Sequence, residues 1–101
     1  MDELDFLKPE RFEAWLRSRA PKTVLGYTNT AELSPFKLYL DHQGTTRGWL
    51  TLSGSFESPR YGHIDLHKRI LAFCLYFIRI ENFRPIITSE ALAVWEDLAN
   101  D

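Results

Sequence analysis

Sulfur is scarce in this chain. A single cysteine, Cys74, rules out an intrachain disulfide, so a reducing cytoplasm is the expected setting. Long hydrophobic runs are missing too. The longest apolar stretch, Ile70 to Ile78, falls far short of the roughly 20 residues that a membrane-spanning helix needs. Met1 is followed by Asp-Glu-Leu-Asp, which fits neither a signal peptide nor a transit peptide. There is no excess of base: 12 Lys and Arg against 14 Asp and Glu give a net charge of −2. A global attraction to nucleic acid or to an anionic membrane is therefore not expected. The P-loop, the G-x-G-x-x-G fingerprint and the G-x-S-x-G elbow are all absent.

Bases are also missing from both ends. Residues 1–7 hold Asp2, Glu3 and Asp5, and residues 85–101 hold Glu90, Glu96, Asp97 and Asp101, with no Lys or Arg in either segment. All 12 bases lie between Lys8 and Arg84, against seven acids. Segregated charge of this kind points to surfaces that pair, either within the molecule or with a partner. The acids Glu96, Asp97 and Asp101 crowd the negative end of a C-terminal helix, a placement that costs about 0.3–1 kcal/mol per acid at low salt. An internal base or a basic partner must offset it.

What is present suits one α+β domain spanning residues 1–101. Apolar residues make up 45% of the chain and aromatics 14%, enough for a core without disulfides. Pro9 marks a helix start, with Phe12, Trp15 and Leu16 on one face, Glu13 and Arg17 as an i,i+4 pair, and Pro21 beyond its end. Residues 23–28 read as a strand. Ser34 and Pro35 open a second helix that buries Phe36, Tyr39 and Leu40 and leaves at Gly44, and Leu33 and Leu38 can staple its start. Residues 48–56 alternate as a second strand expected to pair with the first in a small antiparallel sheet, with turns around Phe56 and Tyr61. Asp65 is expected to cap a central hydrophobic helix over 65–82, whose narrow polar stripe is Lys68, Arg69, Ala72, Tyr76 and Arg79. Thr88 is expected to cap a fourth helix burying Ala91, Leu92, Trp95, Leu98 and Ala99 on one face.

Signals for chemistry are thin. His63 and His67 have the spacing of two metal ligands on a helix, but a cap at Asp65 would leave His63 outside it, and no metal or cofactor is expected. Cys74 sits in an apolar run and should be an unreactive small hydrophobe. The carboxylates are not paired by spacing, and a chain this small has little room for a substrate pocket. Catalysis is therefore not expected. The residues that suit recognition are Arg47, Trp49, Arg60 and Tyr61, which mix bases with aromatics as binding hot spots do. Together with Glu96 and Asp97 they form the candidate surface for a protein partner. The alternative is a nucleic-acid surface of Arg47, Arg60, Lys68, Arg69 and Arg79.

Two resemblances follow from short motifs. Phe12-x-x-Trp15-Leu16, Pro21-x-x-Val24-x-Gly26, Pro35 with Tyr39-Leu40, Ile80-Glu81 and Ile87 to Leu92 occur in an order similar to that in a group of small uncharacterised bacterial and phage proteins. A Cys often precedes the proline in that group, where Ser34 stands here. The group implies no activity. Phe12, Trp15-Leu16, Thr23, Tyr27, Phe36 and Tyr39-Leu40 also resemble the N-terminal domain of tyrosine recombinases. That likeness implies an all-helical, DNA-facing domain. Gly26 in a β-like run departs from it, and no recombinase catalytic motif follows. The expected role is thus a small cytoplasmic protein that binds another protein, as adaptor, inhibitor or assembly subunit, with nucleic-acid binding in a mobile element as the alternative.

Overall fold

The computed structural model describes residues 5–44, 48–51 and 54–99. Among them a single 3₁₀ turn, Asp5–Leu7, leads into four helices and five short strands, an α+β fold. Helix α1 (Pro9–Arg17) starts with Pro9 in its first turn, where the missing N–H costs nothing. Helix α2 (Pro35–His42) is capped by Ser34, whose hydroxyl accepts from the Lys37 amide at 3.4 Å. Gly44, just past its end, takes the left-handed conformation at φ +81°, a common helix exit. Strand β1 is Val24–Tyr27, and β2 (Trp49–Leu50), β3 (Ser55–Ser58) and β4 (Gly62–Asp65) form a three-stranded antiparallel sheet. Helix α3 (Lys68–Ile78), β5 (Pro85–Ile87) and α4 (Thr88–Leu98) complete the chain. No helix among the described residues is long and apolar enough to cross a membrane.

Three local expectations are corrected. Strand β1 pairs with β5, not with the 48–56 ribbon. Val24 faces Ile87 and Gly26 faces Ile86, so Leu25 is an extra residue in a bulge, and it is buried. The ribbon closes on itself instead, with Trp49 opposite Glu57 and Phe56 opposite Ile64. Helix α3 is shorter than 65–82 at both ends: β4 runs on to Asp65, and the helix closes at Ile78 with Arg79 as its C-cap. His67 is the N-cap, its Nδ1 accepting from the Arg69 amide at 3.1 Å. Ile87 rather than Thr88 caps α4. Thr88 is buried, and its hydroxyl donates to the Thr23 carbonyl at 3.3 Å, tying α4 to the start of β1. The buried face of α4 is accordingly Thr88, Ala91, Val94 and Trp95, with Leu92 and Leu98 half-buried and Ala99 exposed.

The core is aromatic and centres on α1. The Phe12 ring lies 5.0 Å from Phe36 and 5.3 Å from Tyr39 on α2, 5.2 Å from Phe73 on α3 and 5.2 Å from Trp95 on α4. The three-stranded sheet joins this core through Phe56, buried edge-on against Phe6 at 6.1 Å.

Candidate functional site

The end of β1 fixes an exposed aromatic residue in place. The Thr28 amide donates to the Arg84 carbonyl at 2.9 Å, and the Arg84 amide donates to the Thr28 hydroxyl at 3.0 Å. That hydroxyl in turn donates to the Asn82 carbonyl. Asn29 stands in the left-handed region at φ 63°. From there its amide reaches the Phe77 carbonyl at 3.0 Å and its side chain reaches Ile80 at 2.9 Å, so it satisfies carbonyls at the end of α3. On the far side, the Arg84 guanidinium forks onto the Glu90 carboxylate at 2.8 and 2.7 Å. The loop between α3 and β5 is therefore held at both ends, yet Phe83 on it is 62% exposed.

Phe83 is not alone. Its ring stacks on Tyr27 at 5.1 Å, with the planes 4° apart. Tyr27 also lines a groove of about 310 Å³ between β1 and the start of α2, where Val24 and Leu33 stand 46% and 51% exposed. Single exposed apolar side chains are ordinary, but an adjoining set is not. Full burial of one such side chain is worth about 1.5–3 kcal/mol, a gain left unrealised here. Gly26 forms part of the groove wall. A Cβ there would fall on the Leu33 carbonyl and within 2.9 Å of Pro35 N, so only glycine lets the two chain segments approach so closely.

The residues singled out from sequence fall elsewhere. Arg47 and the Trp49 side chain lie outside the described residues. Arg60 and Tyr61 come together at the β3–β4 turn, the guanidinium 5.2 Å over the ring, and Tyr61 packs inward on Phe6 at 5.8 Å. Glu96 is engaged internally by Arg17 at 3.1 Å, while Asp97 is exposed and makes no ion pair among the described residues. Arg69 donates to the Trp95 carbonyl at 2.7 Å, lies 3.9 Å over the Trp95 ring and stands 3.7 Å from Glu13. A cation on a late carbonyl of α4 interacts favourably with the negative end of that helix. Lys68 and Arg79 are exposed at opposite ends of α3, about 16 Å apart at 1.5 Å per residue. Val24, Tyr27, Leu33 and Phe83 carried no signal in sequence, because each reads as an ordinary strand, staple or loop residue.

Cys74 is buried, and desolvation pushes its thiol up to about 12, so the nucleophilic thiolate is suppressed. His63 Nδ1 is 3.0 Å from Glu57 and its Nε2 is 3.0 Å from Asp65. The two carboxylates sit on opposite ring nitrogens and do not converge on a point. Among the described residues no cluster of three or more His, Cys, Asp or Glu is placed to hold a metal ion.

Fold and site together define a small α+β domain with a fixed, exposed aromatic–aliphatic surface around β1. No protein-family model, curated protein or solved structure matches this chain.

Proposed function

We propose that this protein works by binding another protein, as an adaptor, an inhibitor or a subunit of an assembly in the reducing cytoplasm. One observation carries the reading. Phe83 is stacked on Tyr27 beside exposed Val24 and Leu33, on a loop held by hydrogen bonds to Thr28 and Asn29. Residues presented on a rigid frame lose little entropy on binding, and large aromatics such as Tyr are enriched at binding hot spots. Nucleic-acid binding fits the geometry less well, since Arg69 is bound to Trp95 and Glu13, and Lys68 and Arg79 stand apart.

The test is affinity capture from the native host, with and without nuclease, using wild type, Phe83→Ser and Leu33→Ser. A protein captured by wild type should survive nuclease and fall about tenfold or more with either variant, the loss expected of a hot-spot truncation. Melting temperatures should change little, because both side chains are exposed. Capture that is unchanged in both variants removes this surface. Capture that vanishes with nuclease replaces the reading with nucleic-acid binding.

A further inference from the structure

The groove beside Tyr27 has an electrostatic character of its own. Its walls are Val24, Tyr27, Leu33 and Leu38, and its two charged lining residues are the acids Glu32 and Asp41. Asp41 is held by Lys37 Nζ at 2.6 Å. Glu32 is exposed and makes no ion pair among the described residues. The groove therefore offers an apolar slot with the exposed Glu32 carboxylate at its rim, unpaired among the described residues, next to the stacked rings of Tyr27 and Phe83. A volume of about 310 Å³ is at the low end of ligand pockets. It suits one or two side chains of a polypeptide better than a cofactor.

We infer that the groove receives a partner polypeptide segment in which a bulky apolar side chain is flanked by arginine or lysine. The apolar side chain enters between β1 and α2, and the base pairs with Glu32. Arginine is preferred over lysine, because its planar guanidinium can also lie on the Tyr27–Phe83 stack. The inference rests on the reading of this protein as a protein-binding module and names the chemistry of its partner.

The experiment titrates the intact ¹⁵N-labelled protein with three short synthetic peptides. One carries leucine between two arginines, the second has glutamate in place of both arginines, and the third has serine in place of the leucine. Anisotropy reads affinity and amide shifts read location. The first peptide should bind about tenfold more tightly than either of the others and weaken with added salt, as an exposed charge contact does. Its shifts should fall on Val24 to Tyr27 and Leu33 to Leu38. Glu32→Lys, an exposed substitution that should leave the fold intact, should reverse the preference between the arginine and glutamate peptides. Equal affinities, no binding by any peptide, indifference to Glu32→Lys or shifts confined to Phe83 would each overturn the inference. So would a concentration-dependent dimer abolished by Leu33→Ser, which would put a second copy of this chain in the groove. None of the peptide results touches the wider reading, which is tested separately by capture of the native partner: capture lost with nuclease replaces it, and capture unchanged in Phe83→Ser and Leu33→Ser removes this surface from it.

Discussion

Glu13 shows how a single side chain links distant parts of this chain. Its carboxylate accepts from the Trp95 indole at 2.8 Å and lies 3.6 Å from Arg17 and 3.7 Å from Arg69. The Trp95 hydrogen bond is the main cause that holds the Glu13 carboxyl below its ordinary 4.5. Partial desolvation opposes it, and the two guanidinium groups add to it. Because the folded value lies below the unfolded one, the ionised form stabilises the fold above about pH 4.5, and this is lost as pH falls through the lowered value. Glu13→Gln keeps an acceptor for Trp95 but removes the charge. Urea unfolding at neutral pH should show wild type ahead of the variant by less than about 1 kcal/mol, since the ion pairs are partly exposed. The gap should shrink as pH falls below about 4.5 and through the lowered Glu13 value, and a gap independent of pH would assign the role to packing alone. The Glu13–Arg17 pair is legible from an i,i+4 spacing, whereas Trp95 is 82 residues away and leaves no local trace. Gly26 is similar: its sequence context shows a glycine in a strand, and only the fold brings Leu33 and Pro35 onto it.

At the level of elements, helix starts marked by local chemistry are readable and strand partners are not. Ser34, Pro35 and Gly44 bound α2 because cap and exit act on the nearest residues. The 65–82 helix loses its first turn because Asp65 is claimed by the β3–β4 hairpin. His63 stands opposite Glu57 and two residues before Asp65, on one face of β4, so its ring reaches both carboxylates. The β1–β5 pairing depends on a three-residue strand containing Pro85, too short to show alternation. The hairpin carries its own prediction. A neutral imidazole has one N–H, so His63 donates to both Glu57 and Asp65 only when protonated. The Glu57 hydrogen bond first, and then that of Asp65, raise the His63 value above 6.5. Stabilisation by the charged ring is thus fully present below about pH 6.5 and lost as pH rises through the raised value. Amides of β3 and β4, corrected for intrinsic exchange, should be better protected at about pH 5.5 than at about pH 8.5, and His63→Gln should abolish the difference. The ring is exposed to solvent, so added salt should shrink the effect. A pH effect surviving in the variant would place its origin elsewhere.

For the whole molecule, the question is whether helices and sheets unfold as one unit. The α+β class and the aromatic core are legible because Phe12, Trp15, Phe36, Tyr39 and Phe73 fall at helical spacing, yet the spacing does not reveal that they converge on one ring. Phe12 touches α2, α3 and α4 at once, and the three-stranded sheet reaches the same cluster through Phe6 and Phe56. Each aromatic contact is worth about 0.5–1.5 kcal/mol beyond buried area, and a Phe→Ala change in a core costs about 3–5 kcal/mol. That is a large part of the roughly 5–15 kcal/mol that stabilises a domain. If Phe12 is the shared support, Phe12→Ala should lower hydrogen-exchange protection in α2, α3 and α4 together and by similar free energies. Phe83→Ser, at the exposed end of the Tyr27 stack, should leave those helices unchanged. Fraying confined to α1, with α3 and α4 still protected, would make Phe12 a local packing residue and leave the α3–α4 contact through Phe73 and Trp95 as the independent core. A uniform loss would explain how so small a chain can leave Phe83, Leu33 and Val24 uncovered: the buried ring cluster already holds every helix, and the fold does not depend on covering the surface around β1.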